Sequence, residues 1–180
     1  MPGGVTGRRE VVEHLGAVAI IAVDAEQRIT LISQYRHPIG RRLLELPAGL
    51  LDVPGEDPLA TARRELAEEA GLKAERWDTL VDVAASAGFT DEVVRVYLAR
   101  ELTEVDREIA GGDEEADIVL RRMPLADAVR RTLAGELING ATVSGVLAAH
   151  AVLAGAAEAR PADTSWRDRP TAFAARKHGG

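Results

Sequence analysis

Between Gly16 and Pro38 the chain reads GAVAIIAVDAEQRITLISQYRHP. Its first part, Ala17 to Val23, is a continuous apolar run rich in Val and Ile, the pattern of a buried strand. Asp24–Gln27 predicts a turn, after which Ile29, Leu31 and Ser33 alternate with polar neighbours as a second strand. RRLLELPAGLLDVPGE (41–56) predicts a short strand entering a loop, with Pro47, Gly49, Pro54 and Gly55 as breakers. A helix follows. Asp57 is its N-cap and Pro58 its first residue, where the missing N–H costs nothing. Leu59, Ala62, Leu66 and Ala70 form an apolar face at helical spacing, and Gly71 suits a left-handed C-terminal cap. Further strands are expected over 77–86, 93–103 and 118–124, then helices over 125–136 and 139–156. The order β-β-β-α-β-β-β-α-α is not a regular βαβ alternation. It predicts an α/β (α+β) sandwich, a mixed β-sheet flanked by helices. A single domain over 1–160 is expected, with an irregular tail over 161–180 and no internal repeat.

Composition narrows the function. The chain has 180 residues, 3% aromatic, with a formal net charge of −7. Few aromatics and an acidic balance argue against nucleic acid and acidic membranes as partners. An anionic substrate stays open, because a bound divalent metal reverses the local sign. There are no cysteines, which excludes disulfides, thiolate catalysis and cysteine-ligated zinc. The N-terminus MPGGVTGRREV lacks a signal peptide's apolar stretch, and AVAIIAV is too short to span a bilayer. A cytoplasmic protein is the expectation.

The helix over 58–70 carries Glu65, Glu68 and Glu69, with Glu56 in the preceding loop. Positions i, i+3 and i+4 share a helix face, so these like charges converge at some cost to the helix. Two readings compete. Such pairs are common on solvated helix faces; equally, a carboxylate cluster on a rigid helix is a platform for a hard cation such as Mg²⁺, with Mn²⁺ as the alternative. Arg64, one turn before Glu68, braces it or is reached by Glu56 from the loop.

Glu56, seven residues, then RELAEEAGL (64–72) resembles the Nudix box, whose pattern continues Arg-Glu-aliphatic-any-Glu-Glu-any-Gly-aliphatic. One departure is that six residues rather than five separate Gly49 from Glu56, an insertion a loop can absorb. The resemblance covers roughly residues 9 to 153 and implies a Nudix-type sandwich with a loop-helix-loop catalytic motif. It also implies hydrolysis of a nucleoside diphosphate linked to another group, with Glu65, Glu68, Glu69 and the Ala48 carbonyl as metal ligands and a Glu56–Arg64 salt bridge inside the motif. Metal ions about 3.5–4 Å apart would clamp the attacking and leaving oxygens.

Two outlying stretches are similar to the ADP-ribose pyrophosphatase branch of that family. In QYRHPIGRRLLELPAG (34–49), Arg36 would contact the diphosphate or ribose, beside Leu50, and Glu45 would be structural. SAGFTDE (86–92) resembles a substrate loop with Ser86, Ala87, Gly88 and Glu92 as contacts, although the branch carries proline where this chain has Ala87. RREVVEH (8–14) is similar to nucleotide-contacting positions, with Arg9 and Glu10 as candidates. In GGDEEADI (111–118), Glu114 best matches the general base, and Glu115 or Asp117 stands in for a second acid that is Ala116 here. The resemblance implies cleavage of ADP-ribose to AMP and ribose 5-phosphate by a homodimer, with the apolar helix over 139–156 as interface or core. The rivals are another nucleotide sugar, a dinucleoside polyphosphate, a Nudix-fold binding module, and a scaffold with a decorative acidic helix. Relatives often carry extra N-terminal strands that this chain begins too late to contain in full.

Overall fold

The computed structural model describes residues 2–4, 6–107 and 118–178. In chain order the elements are β1 (Ala17–Ala22), β2 (Arg28–Arg36), β3 (Arg41–Glu45), β4 (Ala48–Leu50), α1 (Pro58–Ala70), β5 (Leu72–Ala84) and β6 (Val93–Glu104). Then follow β7 (Val119–Pro124), α2 (Leu125–Leu133), α3 (Gly140–Leu153), β8 (Arg160–Pro161) and α4 (Ala172–His178).

The apolar run of β1 is buried at every residue because it lies inside a five-stranded sheet ordered β4-β1-β6-β5-β8 and is covered on both faces. Val18, Ile20 and Ala22 pack with Ala62, Leu66 and Ala70 of α1. Ala19 and Ile21 pack instead with Val146 and Ala149 of α3 and with Ile29 and Leu31 of β2. β1 runs parallel to β6, while the other pairs in this sheet are antiparallel, so the sheet is mixed. A second, antiparallel sheet is ordered β3-β2-β7. Its middle strand buries Thr30 and Ile32 as well as Ile29 and Leu31, so the expected alternation gives way to burial on both faces. One mixed and one antiparallel sheet flanked by helices agree with the sandwich expected from the element order.

Local chemistry sets the frame of α1. The Asp57 carboxylate accepts from the Leu59 N–H at 2.9 Å, Pro58 opens the helix, and Gly71 closes it at φ 64°. A Cβ at Gly71 would also meet the Val105 carbonyl at 3.1 Å. No loop follows: Leu72 begins β5, five residues earlier than the apolar pattern suggests. Lys73, Glu75 and Arg76 are exposed and carry no hydrophobic signal; they are strand because they lie opposite β6 in the ladder.

Within the stretch expected to be irregular, the described residues include the end of β8 and all of α4. Arg160 and Pro161 pair with Thr79 and Asp78 of β5. Arg95 of β6 then gathers the chain that follows. Its side chain, 3% exposed, makes a two-pronged bond to Asp82 (2.7 and 3.2 Å) and donates to the Thr164 and Ser165 carbonyls at 2.6 and 3.3 Å. The Trp166 ring lies 4.7 Å from the guanidinium carbon, within cation–π range. Pro170 packs over Gly16, and Arg176 of α4 pairs with Glu13. A buried charge is costly unless fully partnered, so these contacts order a segment that has little apolar content. Among the described residues no helix is long and apolar enough to cross a membrane.

Candidate active site

The loop between β3 and α1 folds back against α1, and contacts to Glu69 and Glu65 register it. Glu69 is mostly buried, and one of its carboxylate oxygens accepts from the Ala48 N–H at 2.8 Å. Gly49 stands directly over Glu65: a Cβ there would lie 2.1 Å from the Glu65 carboxyl carbon. Only a residue without a side chain permits that approach. The six-residue spacing from Gly49 to Glu56 leaves this contact in place.

Arg64 organises the acids. Its guanidinium donates to Glu56 (3.2 and 3.4 Å), to Glu65 (2.7 Å) and to Glu68 (2.9 Å). Thr61 donates its hydroxyl to Glu56 at 2.8 Å. The hydrogen bonds from Arg64 hold the Glu56 carboxyl below its ordinary pKa. Burial works against the Arg64 charge, but the bonds to Glu56, Glu65 and Glu68 outweigh it and raise its pKa. Among the described residues no three acidic or histidine side chains form a ready-made metal cage. Instead, one Arg64 nitrogen sits between the Glu65 and Glu68 carboxylates, so their oxygens already converge on a cationic group. The donors are all oxygens, which suits a hard divalent cation.

Arg64, Glu65, Glu68 and Glu69 line one face of a cleft of about 1170 Å³. Ala48 and Leu50 line it as well, and Leu50 is exposed at its rim. Another wall comes from β2 and β3, where Arg36 is clamped by Glu45 through a two-pronged bond with contacts of 2.6 and 3.1 Å. Glu45 is 4% exposed and Arg36 42%, so the buried acid anchors an arginine whose body faces the cleft. Among the described residues six carboxylates line the cleft (Glu45, Asp52, Glu65, Glu68, Glu69 and Glu92) against two guanidiniums (Arg36 and Arg64).

The third wall carries Glu92, from the turn after β5. Ser86 accepts through its carbonyl from the Phe89 and Thr90 N–H groups, which makes 86–90 a tight turn. Ser86, Ala87 and Gly88 lie on this turn and do not line the cleft; Glu92 does. Arg9 and Glu10 are not among the cleft residues either. Arg9 donates to the Arg8 carbonyl, while Glu10 pairs with Arg8 on the open surface. The same stretch instead delivers His14 to the cleft, beside Glu92. Sequence reasoning passed over His14, because its neighbours Asp91 and Glu92 lie nearly eighty positions away. Glu114 and Glu115 fall outside the described residues. Arg107, the last described residue before that segment, donates to the Glu68 carbonyl at 3.0 Å, so the chain reaches it at the end of α1.

The NUDIX domain profile matches residues 13–140. The chain is 58% identical over 177 residues to the ADP-ribose pyrophosphatase of Mycobacterium tuberculosis, covering 98% of this chain and 85% of that protein. It is 39% identical over 146 residues to the methanol dehydrogenase activator of Bacillus methanolicus, covering 81% of this chain and 78% of that one. The crystal structure of an ADP compounds hydrolase shares the fold, with a TM-score of 0.68 over 78% of this chain and 74% of that one at 24% identity. With the profile spanning well over half of the chain and one relative matching along nearly all of it, the chain belongs to the Nudix hydrolase family.

Proposed function

We propose that this Nudix enzyme hydrolyses the diphosphate bond of ADP-ribose to AMP and ribose 5-phosphate, with Mg²⁺ or Mn²⁺ held by Glu65, Glu68, Glu69 and the Ala48 carbonyl. The observation that carries this reading is the charge of the cleft. Among the described residues six carboxylates face two guanidiniums, so a diphosphate enters only when cations compensate. The substrate class is supported by the relative named an ADP-ribose pyrophosphatase, 58% identical over nearly the whole chain. It is also supported by Arg36, whose planar fork suits phosphate oxygens.

Bound in the cleft, the cation supplies neutralisation of the diphosphate oxygens and acidification of a water. The chain's own residues do the rest. Gly49 and Arg64 fix the Glu65 carboxylate, and the Ala48 N–H fixes that of Glu69. Glu45 holds Arg36 against the cleft, where it orients the diphosphate. Glu114, on the stretch after Arg107, accepts the proton of the attacking water, with Glu115 beside it. Leu50 and Glu92 bound the substrate, the latter placed by the turn at Ser86, Ala87 and Gly88, and Arg9 and Glu10 reach it across a homodimer interface. The enzyme acts in the cytoplasm as one Nudix domain over 1–160.

Product analysis with Mg²⁺ over ADP-ribose, other nucleotide sugars and dinucleoside polyphosphates tests the substrate. ADP-ribose is expected to turn over fastest; equal or faster cleavage of another nucleotide sugar overturns the assignment. That second reading has one observation in its favour, Ala87 where the branch carries proline. Glu65→Gln is expected to lower turnover by orders of magnitude in a folded protein, and unchanged turnover refutes the metal assignment.

A further inference from the structure

We propose that His14 is a positioning residue that aims the Glu92 carboxylate into the cleft. The proposal rests on the reading of this cleft as the active site. Nothing in the sequence motif points to His14; the fold brings it there.

The N-terminal segment is laid along the 86–92 turn. Val12 forms a parallel bridge with Thr90, and its N–H donates to the Phe89 carbonyl at 2.8 Å. Two residues on, the His14 N–H donates to an Asp91 carboxylate oxygen at 2.7 Å. The imidazole is oriented from the other side: the Gly16 N–H donates to His14 Nδ1 at 3.1 Å. A nitrogen that accepts a hydrogen bond carries no proton, so the neutral ring holds its proton on Nε2. That nitrogen lies 3.8 Å from Glu92 Oε1, and the two side chains are 27% and 29% exposed.

The Glu92 backbone is pinned independently. Its N–H donates to the Thr90 hydroxyl at 3.2 Å, and its carbonyl accepts from the Ala85 N–H at 3.0 Å. Only the side-chain torsions remain to be set. Glu65, Glu68 and Glu69 share the cleft with Glu92 and disfavour a further carboxylate pointing at them. An N–H on the Glu92 wall supplies the opposing preference. At 3.8 Å the pair is not a hydrogen bond; a torsion of the Glu92 carboxylate, or one bridging water, closes it.

The role separates from a local structural one by choice of substitution. His14→Asn keeps an acceptor for the Gly16 N–H but loses the reach to Glu92. His14→Gln loses that acceptor but places an N–H at the Nε2 distance. We expect His14→Ala, His14→Asn and Glu92→Gln each to raise KM about tenfold, the effect of losing one hydrogen bond to a charged group. His14→Gln is expected to restore most of it, with kcat little changed throughout. The His14→Asn/Glu92→Gln double variant is expected to be no worse than either single, because the two act as one unit. Rescue by Asn rather than Gln, or additive losses in the double variant, overturns the proposal.

A second readout needs no substrate. Long-range proton–nitrogen NMR of histidine-labelled protein is expected to show His14 protonated on Nε2, and Glu92→Gln is expected to shift its ring signals while leaving those of His37, His150 and His178 in place. A proton on Nδ1, or ring signals blind to Glu92→Gln, overturns the proposal even if ADP-ribose proves to be the wrong substrate.

Discussion

Gly49 lies so close to Glu65 that a single added carbon would sit 2.1 Å from the carboxyl carbon. The obstructing atoms belong to the far end of a flexible side chain, so Gly49→Ala is relieved by swinging Glu65 aside rather than by moving backbone. The cost falls on function. Misplacement by about 1 Å in a catalytic site loses roughly 100-fold in rate. We expect Gly49→Ala to lower kcat/KM by about that factor, with a melting temperature close to that of the parent protein. A large drop in melting temperature with activity retained would contradict this.

Arg64 supplies the charge balance of the acidic helix, because it is bonded to Glu56, Glu65 and Glu68. A chelator is therefore expected to abolish activity while leaving the melting temperature nearly unchanged. Arg64→Gln removes the internal cation. It is expected to destabilise the metal-free protein by on the order of 1 kcal/mol, since the group is partly screened, and added Mn²⁺ is expected to recover part of the loss. Thermal melts of both proteins with and without Mn²⁺ check this.

Asp82→Asn leaves the Arg95 guanidinium, 3% exposed, without its carboxylate. Removing one partner of a buried pair costs about 3–5 kcal/mol. The Thr164 and Ser165 carbonyls and Trp166 still face the charge, so we expect about 3 kcal/mol in chemical denaturation. Neither Asp82 nor Arg95 lines the cleft, so KM is expected to hold.

Glu56 and Asp82 are among the carboxyls that link stability to acid. Hydrogen bonds from Arg64, opposed by burial, hold Glu56 below its ordinary 4.5. Burial pushes Asp82 up, but Arg95 and then Arg160 outweigh it and hold it below 3.8. A lowered folded-state pKa contributes stability that is complete above the unfolded value and is lost as pH falls through the folded one. These two groups therefore leave stability flat from pH 7 to about 5 and lower it below about 4. Urea titrations at pH 7, 5, 4 and 3 check the window, and Glu56→Gln is expected to make the acid-side fall shallower.

The site was most legible where its chemistry is local. Asp57, Pro58 and Gly71 mark the ends of α1 by capping alone, and the glutamate spacing places three acids on one face; both are short-range consequences of helix geometry. What depends on distant partners was not legible. The start of β5 after the buried Leu72 is largely exposed and polar, at Lys73, Glu75 and Arg76, and only its ladder with β6 makes it strand. The tail carries few apolar residues, and the buried charge that orders it belongs to β6. His14 reaches the cleft through contacts to residues 89–91, which a linear pattern does not encode. Arg9 and Glu10 are candidates because that stretch resembles nucleotide-contacting positions; both lie on the open surface of this chain.

The closure of Arg95 by Thr164 and Ser165 joins positions 69 and 70 residues apart. A chain emerging from a ribosome at roughly 5–20 residues per second exposes that guanidinium for about 3–14 s before its covering segment has been made. Until then the Arg95–Asp82 pair stands uncovered on the face that α1 is burying. Completion of this face is thus a late event in biosynthesis, whereas the capped acidic helix has all of its local determinants as soon as Gly71 has emerged.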